Sequence, residues 1–207
     1  PGTCGGFTIK RLKDPVSQLL LPVGQPLGVF VEVTDLTEPA GGAVRVADDF
    51  LDLTPEQYSM WLLSFVHNSR PTLTGATAQR NPGTEASAIT AELDSLIKLG
   101  VLLEADAEED MANLLSAYCV IPTGFGLGAS TKRPGFFEIG GPDFQTRAQI
   151  EFDVYLVWAA ANRGSIWQTC KMLAQEHGVA PDVLGRHVLL NLPVLIGSGC
   201  AFLDEAP

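Results

Sequence analysis

Two Tyr-x-x-Trp pairs, Tyr58/Trp61 and Tyr155/Trp158, stand at matching places in a chain that has only three tyrosines and three tryptophans. They belong to a longer echo. Pro22-Val23-Gly24-Gln25-Pro26-Leu27-Gly28 is answered by Pro122-Thr123-Gly124-Phe125-Gly126-Leu127-Gly128, and Leu96-Ile97 with Gly100 by Leu195-Ile196 with Gly199. The matches are collinear. Collinear self-similarity at a fixed offset is the mark of a duplicated structural unit, and here the unit is about 100 residues long. The chain therefore reads as a flexible Gly-rich lead over residues 1–14, one copy over 15–112 and a second over 113–207.

Within the first copy, Leu19–Leu21, Val29–Val33 and Ala43–Val46 read as strands, the first two flanking a Pro22–Gly28 turn. Thr54 followed by Pro55, Glu56 and Gln57 opens a helix. Residues 71–83 form a short, weakly helical piece. Thr84 caps a third helix with Ile89, Leu93, Leu96 and Ile97 at helical spacing, Gly100 stops it, and Val101–Leu103 is a strand. The second copy repeats the plan. Strands at 119–121 and 136–139 precede a helix over 151–162, a helix capped by Ser165, a helix from Pro181 and a strand at 200–203. Pro193 sits inside that last helix and predicts an end or kink near Asn191.

The stretch Leu173-Ala174-Gln175-Glu176-His177-Gly178-Val179, continuing through Pro181-Asp182-Val183-Leu184-Gly185-Arg186-His187-Val188, resembles the helix-turn-helix of many bacterial regulators. Gly178 supplies the positive φ that the tight turn needs, and Val179 the contact between the two helices. The resemblance implies a winged-helix superfamily fold. The expected fold class is α+β, mainly helical: two tandem winged-helix-like domains.

In that superfamily the recognition helix commonly enters the DNA major groove. The charge distribution opposes this in the first copy. The net charge is −11; residues 1–112 hold 16 acids against 7 Lys/Arg, and residues 113–207 hold 8 against 6. The expected first-copy wing, Glu104–Asp110, carries five acids and no base, so phosphate would repel it. In the second copy Lys171, Arg186 and His187 are the candidate DNA contacts. Trp167 has no counterpart near Arg70, its aligned position, and is the candidate anchor of an interface between the halves or with a partner.

Other chemistry is set aside on spacing. Gly124-x-Gly126-x-Gly128 lacks the Gly-Lys-Ser/Thr of a phosphate loop. Cys170, His177 and His187 match no common zinc spacing, and no nucleophile motif is present. Asp48, Asp49 and Asp52 precede a helix, where the dipole favours acids. The four widely spaced cysteines read as reduced thiols. No apolar run reaches membrane-span length and residues 1–6 lack signal-peptide character, so a cytoplasmic protein without membrane partner is expected. The expected function is non-catalytic: regulation or scaffolding by protein–protein contact, with no cofactor, metal or catalytic residue. Homo-oligomerisation is open, and DNA binding through the second copy is the alternative.

Overall fold

A computed structural model describes residues 18–32, 35–106, 111–161 and 164–207. The expected lead over residues 1–14, Cys4 and the end of the expected wing (107–110) lie outside the described residues. The first copy holds β1 (Gln18–Pro22), β2 (Gln25–Glu32), β3 (Asp35–Val46), β4 (Asp49–Leu53), α1 (Pro55–Ser64), α2 (Arg70–Arg80), α3 (Ala86–Lys98) and β5 (Leu102–Asp106). A helix that the sequence did not announce, α4 (Met111–Ala117), leads into the second. There β6 (Tyr118–Pro122), β7 (Phe125–Ala129), β8 (Phe136–Gly140), β9 (Thr146–Glu151), α5 (Phe152–Ala159), α6 (Ile166–His177), α7 (Pro181–Gly197) and β10 (Ala201–Glu205) follow in the same order.

Each copy thus runs strand, three-stranded meander, three helices, strand. The closing strand returns antiparallel to the opening one, β5 on β1 and β10 on β6, while β2-β3-β4 and β7-β8-β9 form separate antiparallel sheets. This corrects the expected fold class. Ten strands in four small sheets accompany seven helices among the described residues, so the protein is mixed α+β and not mainly helical. Nor does a hairpin wing follow α3 or α7. Glu104, expected in the first wing, lies on β5 and is held in a two-pronged ion pair by Arg70 of α2, which also reaches Asp94 of α3 at 2.8 Å. Glu104, read as part of a repelling wing, instead joins α2 to β5 through Arg70.

The repeated residues earn their recurrence in the core. Trp61 and Trp158 are buried, and each indole Nε1 donates to the carbonyl that begins its closing strand, Val101 O and Cys200 O, both at 2.9 Å. The same two carbonyls accept the backbone N–H of Val23 and Thr123. Tyr58 and Tyr155 stack on their tryptophans at 5.8 and 5.6 Å. The repeated Leu-Gly is a bulge, not the turn expected over residues 22–28. Leu27 and Leu127 are the extra residues in β2 and β7, and Gly28 (φ 119°) and Gly128 (φ 95°) take the left-handed backbone that lets each strand resume pairing.

Pro193 does not break α7, which continues to Gly197. Leu189, Leu192, Leu195 and Ile196 are all buried, and their packing outweighs the ~3 kcal/mol that an interior proline costs. Strands β1 and β6 each pair within their own copy. The halves meet elsewhere. Leu203 of β10 accepts the Gly24 N–H at 2.7 Å, Asp204 Oδ1 accepts the Ala47 N–H at 2.7 Å, and Phe202 packs edge-on against Phe65 at 6.3 Å.

Candidate functional site

The second copy gathers one constellation of titratable groups that the first lacks. Glu151 ends β9 and stands at the N-cap of α5; Asp153 lies in the first turn of α5; His187 comes from the middle of α7. Helix α5 turns the Asp153 carboxylate inward, where it is 8% exposed. One oxygen, Oδ1, accepts the Val154 N–H at 2.9 Å, and the other lies 2.5 Å from His187 Nδ1. On the far side of the ring, Nε2 is 3.5 Å from Glu151 Oε2. The imidazole side chain is 12% exposed and Glu151 about a third exposed, so the cluster opens to solvent on the Glu151 side. By the offset between the Tyr-x-x-Trp pairs, the first-copy counterparts of Glu151 and Asp153 are Thr54 and Glu56. By the Leu-Ile offset, that of His187 is Ala88.

The hydrogen bond to Asp153 holds the His187 imidazolium above its ordinary range, the charges of Asp153 and Glu151 add to this, and burial opposes it. Cys170 of α6, near Asp153, has its thiol pushed up to about 12 by burial and by that carboxylate, so it stays neutral and unreactive around neutral pH. A histidine with a raised folded pKa contributes stability that is complete below its unfolded pKa, about 6.5, and is lost as pH rises through the folded value. The protein is therefore expected to lose stability on the alkaline side of that window relative to His187→Gln. Urea titrations at stepped pH measure the difference, and a difference independent of pH between 6 and 9 would contradict the assignment.

The candidates named from sequence separate in space. Lys171 and Arg186 are exposed on α6 and α7, on either side of the Gly178 turn (φ 68°). His187 points instead into the carboxylate cluster and is already engaged. Trp167 is half-buried on α6, close to Gly185 of α7, with Leu115 and Met111 of α4 beside that same glycine. It therefore packs near the connecting helix. The Gly124–Gly128 segment set aside as a phosphate loop forms the start of β7. Asp49 and Asp52 lie on β4, and Asp48 in the turn before it. Cys119, Cys170 and Cys200 are free thiols. Glu151 and Asp153 went unremarked in the sequence because nothing local distinguishes an acid at a helix N-terminus from a dipole partner; His187 lies 34 residues from Asp153. Comparing the copies position by position, where the first has threonine, glutamate and alanine, is the signal that would have marked the set.

The remaining surfaces are unequal. The two best-formed cavities leave about 0 and 10 Å³ of room for a water-sized molecule, far below the ~300 Å³ at which small-molecule sites begin. The larger lies between α5, α6 and α7, beside Asp153 and His177. In the first copy, edge strand β2 exposes Leu27, Val29, Phe30 and Val31, and Phe50 of β4 is 71% exposed. The second-copy edge strand β7 also exposes Phe125 and Leu127, but Ala129 and Ser130 follow where the first copy has Val29 and Phe30, and on the neighbouring β8 Glu138 accepts hydrogen bonds from Thr146 Oγ1 at 2.9 Å and Gln149 Nε2 at 3.0 Å. No helix among the described residues is long and apolar enough to cross a membrane. No protein-family model, no curated protein and no solved structure matches this chain.

Proposed function

We propose that the chain is a regulatory or scaffolding protein that acts by binding an extended segment of a partner protein along β2 of its first copy. The observation that carries this is the run Leu27, Val29, Phe30, Val31, four apolar side chains left in water on one edge strand. Such an edge invites pairing and is ordinarily blunted or covered. The bulge at Leu27, and the one opposite Phe30 and Val31 where β3 carries the extra residue Ala40, bend this edge, which disfavours flat stacking of like edges and leaves recognition to side chains. Charge selects the occupant: residues 18–53 contain six acids and one base, Arg45. An apolar segment interleaved with Lys or Arg fits that field, and an acidic one does not.

Two synthetic peptides test the reading, one alternating Lys and Val and the other Glu and Val, titrated into the full chain while backbone amide resonances are followed. The Lys–Val peptide is expected to move the amides of residues 27–31 and to bind at least tenfold more tightly than its acidic counterpart. Its binding should be lost in Val29→Lys/Val31→Lys. Absence of binding by both, or binding that leaves β2 unmoved, would overturn the proposal. Duplex DNA titrated in the same way at low salt tests the alternative. Shifts confined to α6 and α7 that vanish in Lys171→Glu/Arg186→Glu would replace the protein-partner reading with a DNA-binding one.

A further inference from the structure

We propose that Glu151 and His187 are ligands of a divalent transition-metal site of the zinc class, with Asp153 behind the imidazole as its orienting partner. The two faces of the imidazole ring meet different neighbours. At 2.5 Å, His187 Nδ1 and Asp153 Oδ2 are too close to be two ligands of one ion and are at the distance of a strong hydrogen bond. If Nδ1–H donates to Asp153, the neutral tautomer places its lone pair on Nε2, facing Glu151. A carboxylate behind a ligating histidine is the usual way in which such a ring is fixed in tautomer and direction. The opposite face has a different spacing. His187 Nε2 and Glu151 Oε2 are 3.5 Å apart, longer than a good hydrogen bond and close to the ~3.4 Å edge of a tetrahedron built on metal–ligand bonds of 2.0–2.1 Å.

Charge supports the same assignment. Two carboxylates around one imidazolium leave a net −1, whereas a divalent ion with a neutral imidazole brings the cluster to zero. Metal and proton compete for one lone pair, so binding releases a proton and strengthens as pH rises. Glu151, a third exposed, leaves the remaining coordination positions to water. Nitrogen beside carboxylate oxygen favours zinc, cobalt or copper over magnesium and calcium, whose preferred ligands are all oxygen. The first-copy positions, Thr54, Glu56 and Ala88, cannot supply the set, so one ion per chain is expected.

The test is titration of the full chain with Zn²⁺ in a Cys4→Ser/Cys119→Ser background, which removes Cys4 and, among the described residues, the one partly exposed thiol. Calorimetry gives the stoichiometry and the histidine side-chain resonances give the location. One equivalent is expected to bind and to shift the His187 ring. Glu151→Gln, a change at the exposed rim that leaves the Asp153–His187 bond in place, should weaken binding at least tenfold, and His187→Gln should abolish it. Magnesium at the same concentrations should leave the ring unmoved. If His187 does not shift at millimolar zinc, or if Glu151→Gln binds as the parent does, the site does not exist.

Discussion

Truncating Trp61 to alanine is expected to destabilise the protein by about 3–5 kcal/mol, and truncating Trp158 by a similar amount. These are 0% and 5% exposed, so each truncation removes a whole indole from a packed interior. It also removes a bond at the joint of its copy. The Val101 and Cys200 carbonyls each accept two donors, an indole N–H and the backbone N–H after the opening strand, so helix, opening strand and closing strand meet on one oxygen. Phenylalanine at either position keeps most of the ring area but loses the N–H. Trp→Phe should therefore fall well below Trp→Ala, near the ~1 kcal/mol of one net hydrogen bond, because each carbonyl keeps its backbone donor. Urea unfolding followed by far-ultraviolet circular dichroism measures all four variants. Since folded domains are stable by only about 5–15 kcal/mol, either alanine variant should shift the midpoint far. A costly change at Trp61 beside a harmless one at Trp158 would show that the repeat no longer means the same thing in both copies.

The same joint explains what could be read from the sequence. The Tyr-x-x-Trp pairs persist because both rings are buried and the indole must reach one particular carbonyl, so both copies carry that constraint. Two helix starts were legible for a similar reason, whereas Thr84, expected to cap the third helix, lies one residue before Glu85, which stands at the N-cap of α3 without a side-chain cap bond. Thr54 and Ser165 accept from Gln57 N and Gln168 N as their spacing implies, and Gly178 takes the left-handed conformation that ends α6. What escaped reading depends on neighbours distant in sequence. Thr146–Glu151 offers only two alternating apolar residues, Ala148 and Ile150, too short a signal to mark β9 until pairing with β8 buries both. Pro193 stays helical because its turn is enclosed on the apolar side. The wing was mistaken for the same reason, since Glu104 looks solvated until Arg70, 34 residues away, is seen gripping it. The candidate metal site is the extreme case, drawn from a strand end, a helix start and a helix middle.

Loss of the Asp204 carboxylate is the second large effect expected, and it should be felt in the copy to which Asp204 does not belong. Asp204 is 4% exposed on β10, and its Oδ1 accepts the N–H of Ala47, in the turn between β3 and β4, as well as that of Glu205. Hydrogen bonds to a charged acceptor are worth more than neutral ones, and Asp204→Ala leaves two donors without a partner, so a loss of about 2–4 kcal/mol is expected. Asp204→Asn keeps an acceptor oxygen and should cost less. Because the neighbouring Leu203 carbonyl also holds Gly24, β10 serves both copies, and deleting residues 201–207 should unfold the first copy with the second. Native-state hydrogen exchange distinguishes this from independent halves. In Asp204→Ala, the amides of Gly24 and Ala47 should lose protection together with those of β6. Two separate unfolding transitions, with the first copy indifferent to Asp204, would show that the contacts across β10 hold the halves side by side without joining their stability.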